Sequence, residues 1–126
     1  MSTEPFKRCS LCGEIWATRA ELLEDPEISL VGYQAYTDDV SQGLLLFNHG
    51  CGTTLALEVT EFHDLHEGVV YSERLVGTSA CPGRCLDDRD LEPCPNHCAG
   101  AWVRDVLQRI RRWPKRPRPV PVAAAR

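Results

Sequence analysis

The chain has 126 residues, of which 43% are hydrophobic and 25% charged, and its net charge is −4. These values are typical of one globular domain and exclude a wholly disordered chain. Apolar runs such as Leu44–Phe47 are far shorter than the roughly 20 residues that a membrane-spanning helix requires. The unusual feature is the presence of 7 cysteines in so short a chain.

The first predicted helix begins near the N-terminal quarter of the chain. Thr18 and Glu21 have the spacing of a capping box, and Asp25-Pro26 is expected to end the helix. The alternating pattern that follows, over 28–36, predicts a strand with apolar residues on both faces.

Two further strands are predicted over 44–48 and 53–59, and the glycine-rich segment 49–52 joins them. Residues 60–67 are predicted to form one or two helical turns. A fourth short strand is predicted over 69–71.

The last third of the chain combines a polar loop, a helix and a tail. Few apolar residues occur over 77–96, so hydrophobic burial alone does not order this stretch. The apolar spacing over 98–113 predicts an amphipathic helix that starts at Cys98. Prolines then predict an extended flexible tail, so the predicted organisation is one domain (1–113) followed by a Pro/Arg-rich tail (114–126). The helix arginines are expected mainly on its polar side: Arg104, Arg109, Arg111 and Arg112.

The cysteines occur in closely spaced pairs, and His49 stands two residues before Cys51. Together with this histidine, the thiols supply the eight ligands that two tetrahedral metal sites need. The first predicted site comprises Cys9, Cys12, His49 and Cys51. The second predicted site comprises Cys81, Cys85, Cys94 and Cys98.

Two segments, Cys9-Ser10-Leu11-Cys12-Gly13 and His49-Gly50-Cys51-Gly52, resemble the knuckles of zinc ribbons. The second differs from the usual C-x-x-C pattern in its one-residue spacer and its histidine. The resemblance covers only these knuckles. It implies a small zinc-ribbon-like sheet in which the first metal site joins the N-terminal turn to the loop between two strands.

Soft thiolates in tetrahedral sets favour zinc, so two zinc ions are the predicted cofactors. One iron–sulfur cluster is the alternative at the second site, formed by Cys81, Cys85, Cys94 and Cys98. The cysteine spacings match neither of two common iron–sulfur patterns, C-x2-C-x2-C-x3-C and C-x4-C-x2-C. Disulfides across the two C-x-x-x-C pairs are a third possibility, and they would require an oxidising site or a redox role.

No catalytic constellation is evident in the sequence, since G-x-S-x-G and P-loop patterns are absent. The protein is therefore expected not to be an enzyme. Glu61, His63, His66 and Glu67 lie close together, but their spacing matches no known metal motif, and a solvated helix face is the preferred interpretation.

Charge is unevenly distributed along the chain. Residues 104–126 carry eight basic groups and one acidic group, whereas residues 1–103 carry a net charge of −11. The C-terminal helix or tail is predicted to bind a protein partner, and nucleic acid is a weaker expectation because the acidic body repels it. The polar start, Met1–Lys7, shows no secretory signal, so a cytoplasmic protein that makes no membrane contact is expected.

Together these features predict an α+β fold with a small zinc-ribbon-like antiparallel sheet, short helices, a longer C-terminal amphipathic helix and two stabilising metal sites. The predicted function is that of a small intracellular metal-binding protein, with zinc as the favoured metal, that acts as a binding or adaptor module. The alternatives are an iron–sulfur electron-transfer protein and a thiol–disulfide redox protein that uses the C-x-x-x-C pairs.

Overall fold

The computed structural model describes residues 4–36, 38–75 and 78–117. These residues form two antiparallel sheets, two α-helices and three short 3₁₀ helices, in agreement with the predicted α+β class. Their buried apolar side chains form one cluster that serves as the core. Within these ranges, no helix is both long enough and apolar enough to cross a membrane.

A small N-terminal hairpin presents the first pair of cysteines. Strands β1 (Lys7–Arg8) and β2 (Ile15–Trp16) pair antiparallel, and the backbone N–H of Cys9 donates to the carbonyl of Glu14 at 2.8 Å. The sequence predicted only a tight turn here, because strands of two residues are too short to show an alternating pattern.

Helix α1 (Arg19–Glu24) lies where the sequence predicts it. The Thr18 side chain caps the helix by accepting a hydrogen bond from the backbone N–H of Glu21 at 3.2 Å, as a capping box requires. Leu22 and Leu23 are fully buried, so this short helix is fixed by its apolar face.

The larger sheet has its strands in the order β3 (Ile28–Gln34), β4 (Leu44–His49) and β5 (Thr54–Glu58), all antiparallel. These bounds confirm the three predicted strands to within two residues at each end. Alternate side chains of β4 and β5 are buried, because successive residues of a strand point to opposite faces.

A 3₁₀ helix (Val59–Leu65) follows β5, where helical turns were predicted. Helix α2 (Ala101–Arg111) packs against this segment. Its buried side chains are Trp102, Val103, Arg104, Val106, Leu107 and Ile110. The prediction that Arg104 lies on the polar side of the helix is therefore wrong, because its side chain is only 1% exposed.

Two other predictions at element boundaries are wrong. Cys98 does not start α2, because Gly100 is its N-cap and the helix begins at Ala101. Residues 69–71 do not form a fourth strand. Val69 is 63% exposed and has no place in the sheet order given above, and a short apolar run forms a strand only where a neighbour completes its backbone hydrogen bonds.

The loop 78–99 contacts β3, an outer strand of the sheet. The backbone N–H of Tyr33 donates to the carbonyl of Asp88 at 2.8 Å. A Cβ at Gly32 would lie 3.0 Å from the same carbonyl oxygen, so the glycine permits this close approach. The only helical turn in the loop is the 3₁₀ segment Arg84–Leu86.

The first residues of the predicted tail contact the body. The Lys115 ammonium group donates to the carbonyl of Leu23 at 2.8 Å and to that of Ile28 at 2.7 Å. The domain boundary after residue 113 stays a prediction, and residues 118–126 of the tail lie outside the described residues.

Candidate metal centre

Two hairpin turns bring four of the predicted ligands together. The turn between β1 and β2 carries Cys9 and Cys12, and the turn between β4 and β5 begins at His49 and contains Cys51. Their three thiol sulfurs and one imidazole nitrogen all lie within 4.8 Å of one another. The structure therefore places the first predicted ligand set at one point, where it could hold a metal ion.

The separations of the ligand atoms suit one shared ion. Cys9 Sγ lies 3.6 Å from Cys51 Sγ, and His49 Nδ1 lies 3.1 Å from Cys51 Sγ and 3.8 Å from Cys12 Sγ. A tetrahedral zinc with Zn–S bonds of about 2.3 Å and a Zn–N bond of about 2.0 Å would separate its ligands by about 3.5–3.8 Å. The set therefore needs little rearrangement to surround an ion.

Each turn contains a glycine with a left-handed backbone. Gly13 has φ +83° and Gly52 has φ +99°, a region that residues with a side chain rarely adopt. The N–H of Gly13 donates to the carbonyl of Cys9 at 3.0 Å, and the N–H of Gly52 donates to that of His49 at 2.9 Å. These bonds close both turns and hold the two ligands of each turn close to one another.

Hydrogen-bond donors favour the thiolate form of two ligands. A hydrogen bond from the backbone N–H of Cys12 is the main factor that lowers the pKa of Cys9 to about 5. The hydrogen bond between Cys51 Sγ and the hydroxyl oxygen of Thr53, 3.2 Å apart, is the main factor that lowers the pKa of Cys51. Since the thiolate is the form that binds metal, both effects favour metal binding.

The other two ligands respond to these thiolates. Burial lowers the pKa of His49, but hydrogen bonds to Cys9 and Cys51 outweigh burial and raise it overall. For Cys12, a hydrogen bond from the backbone N–H of Glu14 lowers the pKa, but desolvation and the neighbouring thiols raise it overall. The raised pKa values of Cys12 and His49 partly reflect the negative charge of the neighbouring thiolates, which a bound cation would neutralise.

Trp16 supports the imidazole of the cluster. The ring of Trp16 stands edge-on to the ring of His49, with centroids 5.0 Å apart. Its indole N–H donates to Asp25 Oδ2 at 2.8 Å. The sequence did not predict this role of Trp16. Its position four residues after Cys12 was the signal that could have suggested it.

The second predicted ligand set is arranged differently. Its members line one small cavity where the loop 78–99 meets α2: Cys81, Cys85, Cys94 and Cys98. Among the described residues, single-ion spacing is found only in the first set. Burial is the main factor that raises the pKa of Cys85. All seven cysteines are free thiols.

The two histidines of the segment 60–67 have other partners. The ring of His63 stands edge-on to that of Trp102, with centroids 4.5 Å apart, and His66 Nδ1 lies 2.8 Å from Asp105 Oδ2. Both histidines therefore belong to the contact between the 3₁₀ helix and α2. In the described parts of the chain they join no group of potential metal ligands.

A comparison with protein-family models finds no match for this chain, and comparisons with curated proteins and with solved structures find none either. The residues of the site are therefore the evidence for function. That site is a cluster of three thiols and one imidazole, which could hold a metal ion, in a small protein of antiparallel sheets and short helices.

Proposed function

We propose that this protein is a small zinc-binding protein whose Cys₃His centre ties its two hairpin turns together. The observation that carries the proposal is the convergence of Cys9, Cys12, His49 and Cys51 at the spacing of a single ion. Thiolate and imidazole ligands in a tetrahedral set are those that zinc prefers.

The proposed role of the ion is structural. Four protein ligands fill a tetrahedral shell, whereas catalytic zinc sites keep one position open for water or substrate. The β1–β2 hairpin has only two residues in each strand, and so short a hairpin is not stable alone. A metal bond from Cys9 and Cys12 to the second turn would anchor it.

An iron–sulfur cluster is less well supported at this centre. Each thiolate of a four-iron cluster binds a different iron atom, so its ligand sulfurs lie further apart than those of a single ion. The 3.6 Å between the sulfurs of Cys9 and Cys51 suits one shared ion.

We further propose that the centre stabilises a binding module that acts in a compartment where thiols stay reduced. The apolar stripe of α2 is buried within the chain, and Arg109 and Arg111 form ion pairs within the chain, so the tail is the segment proposed to bind a partner. The positive charge of residues 104–126 favours a protein with a local acidic patch, since the net charge of −11 on residues 1–103 would repel a partner that is acidic throughout. Deletion of 114–126 should abolish capture of that partner by affinity purification, and unchanged capture would place the partner elsewhere.

Elemental analysis of the protein, purified without added metal or affinity tag, tests the zinc proposal. Cys12 is exposed, so Cys12→Ala should leave the core intact while it removes one ligand. We expect this variant to lose one zinc equivalent per chain. Ser10→Ala, in the same exposed turn, is the matched control and should retain it. A folded wild-type protein with reduced thiols and no zinc at this centre would overturn the proposal.

A further inference from the structure

Four cysteines outside the first centre surround a second cavity. Its volume is about 20 Å³, far below the roughly 300 Å³ of a typical organic-ligand pocket. Both C-x-x-x-C turns contribute to its wall, through Cys81, Cys85, Cys94 and Cys98. A site of this size with four thiols suits an inorganic centre rather than an organic ligand or cofactor.

Two arginines in the cavity wall carry buried nitrogen atoms that lack a hydrogen-bond acceptor. They are Nη1 of Arg104 and Nε of Arg84. Over the ranges that the structure describes, these are the only buried side-chain nitrogen or oxygen atoms without a partner. Buried polar groups are almost always hydrogen-bonded, and both residues line the same cavity, so an acceptor bound there is one way to satisfy these nitrogen atoms.

The charge around the cavity points to an anionic acceptor. Arg104 Nη2 lies 3.1 Å from Asp90 Oδ1, and Arg84 Nη1 lies 3.2 Å from Asp90 Oδ2. One carboxylate thus serves two guanidinium groups and neutralises only one positive charge. The described wall of the cavity contains no carboxylate, so its four thiols are the groups that can supply the remaining negative charge.

Backbone donors also point at these sulfurs. The N–H of Gly83 donates to Cys81 Sγ at 3.3 Å. The sulfur of Cys98 accepts from the N–H of Leu75 at 3.4 Å and from that of Gly100 at 3.5 Å. Hydrogen bonds to ligand sulfurs are a recurring feature of thiolate metal centres, whose properties they help to set.

We propose that Cys81, Cys85, Cys94 and Cys98 bind a second metal centre through four thiolates, with Arg104 as its buried counter-charge. Four thiolates give a net charge of about −2 with either one zinc ion or a four-iron cluster in its 2+ state. For a single zinc ion, the four sulfurs would have to draw closer together than the structure places them. Whether the metal is zinc or a four-iron cluster, its thiolate sulfurs would serve as hydrogen-bond acceptors for the guanidinium group. The centre would hold the loop 78–99, which has little apolar surface of its own, against the start of α2.

Metal and sulfide analysis of three proteins, each purified anaerobically without added metal, tests the inference. They are the wild type, a first-centre variant (Cys9→Ser with Cys12→Ser) and a second-centre variant (Cys94→Ser with Cys98→Ser). The wild type should hold two centres, and each variant should lose only its own. Zinc without colour, or iron with labile sulfide and visible absorption, then identifies which thiolate centre is present.

The outcomes separate this inference from the proposed function, because the two centres share no residue. If the second-centre variant holds as much metal as the wild type, the second centre is overturned and the first is unaffected. If the wild type holds only one centre, and the variant Cys94→Ser with Cys98→Ser lacks it, the zinc proposal for the first centre is overturned and the second centre is supported.

A charge variant covers the case in which the second-centre variant fails to fold. Arg104→Gln keeps amide donors but removes the charge, so the affinity of the second centre for zinc, measured by chelator competition, should fall about 10–100-fold. For an iron–sulfur cluster, the same change should lower the reduction potential. Arg104→Lys, which keeps the charge, should recover part of either effect. Equal values in the wild type and Arg104→Gln would refute the role of Arg104.

Discussion

The indole of Trp16 stands between two groups that belong to different parts of the chain: its ring contacts His49 edge-on, and its N–H binds the carboxylate of Asp25. This contact restricts rotation of the imidazole whose Nδ1 faces the thiols. A metal ligand that is oriented before the ion arrives loses less freedom on binding. Trp16 is therefore a positioning residue for the proposed zinc site.

We expect Trp16→Leu to weaken zinc binding at the first centre by about 10-fold, within the range found for groups that orient metal ligands. Competition with a zinc chelator, at both saturating and limiting zinc, measures the zinc affinity of each protein. Trp16→Phe keeps an aromatic ring but loses the hydrogen bond to Asp25, so its affinity should lie between the two. Equal affinities in all three proteins would show that the indole does not orient His49.

Removal of the metal should destabilise the fold, because the energy of metal binding contributes to folding. With a strong chelator, the midpoint of thermal unfolding should fall by at least about 4 °C, the shift that 1 kcal/mol produces in a domain of this size. Added zinc should restore it. In Cys12→Ala the chelator should lower the unfolding midpoint by less than it does in the wild type, because this variant holds no metal at the first centre. An equal fall in both proteins would contradict the assignment of Cys12 as a ligand.

The left-handed backbone of Gly13 offers a test of the first turn. Nothing lies within 4 Å of a Cβ built there, so substitution tests backbone conformation rather than space. Gly13→Ala should cost about 1–2 kcal/mol in the free energy of unfolding. Gly13→Asn should cost less, because asparagine tolerates this region better. Urea unfolding of both variants decides the point, and equal costs would argue against conformational strain.

Asp105 gives α2 a pH-dependent contact. Its carboxylate lies 2.8 Å from His66 Nδ1 and 2.9 Å from Arg109 Nε. Burial raises the pKa of Asp105, but hydrogen bonds from His66 and Arg109 outweigh burial and hold it below its usual value. A lowered pKa stabilises the folded state above the ordinary value of about 3.9, and this contribution is lost as the pH falls through the folded value.

Asp105→Asn should therefore lower the free energy of unfolding at neutral pH, and its difference from the wild type should shrink as the pH falls below the ordinary carboxyl pKa of about 3.9. Denaturant unfolding at a series of pH values measures this difference. Metal loss in acid affects both proteins alike, so the comparison isolates the carboxylate. A difference that stays constant with pH would show that the contact does not depend on ionisation of Asp105.

Lys115 fastens the start of the tail through its bonds to the carbonyls of Leu23 and Ile28. Lys115→Met should lower the free energy of unfolding by about 1–3 kcal/mol, the usual worth of hydrogen bonds to a charged group. Cleavage near residue 114 by a protease should also become faster. Arg116→Met removes a neighbouring exposed charge and is the matched control. A similar loss in both variants would point to net charge rather than to these bonds.

Local patterns predicted much of this fold because local contacts dictate it. The capping box at Thr18 and the alternation over 28–36 concern residues close in sequence, and both predictions are confirmed. The β1–β2 hairpin was missed because its two-residue strands are too short to show an alternating pattern. Residues 69–71 were wrongly assigned to a strand because pairing with another strand, which the local sequence does not show, decides that case.

The candidate site also has some features that local sequence predicts and others that it does not. Convergence within the pairs Cys9/Cys12 and His49/Cys51 follows from tight turns, which their spacing predicts. The support of His49 by Trp16 and the burial of Arg104 depend on contacts between segments far apart in the sequence. An arginine on the polar side of a predicted helix gives no sign that a loop will cover it.

The hydrogen bond between Tyr33 and Asp88 affects whether the protein can self-associate through the edge of its sheet. Strand β3 lies at the margin of the sheet, where unpaired backbone groups readily accept a strand from another chain. The loop 78–99 occupies part of that margin. Release of the loop would uncover a ready template for edge-to-edge association. Thiolate chemistry at the second cavity would then govern solubility as well as stability, and metal-depleted protein should form oligomers before it unfolds.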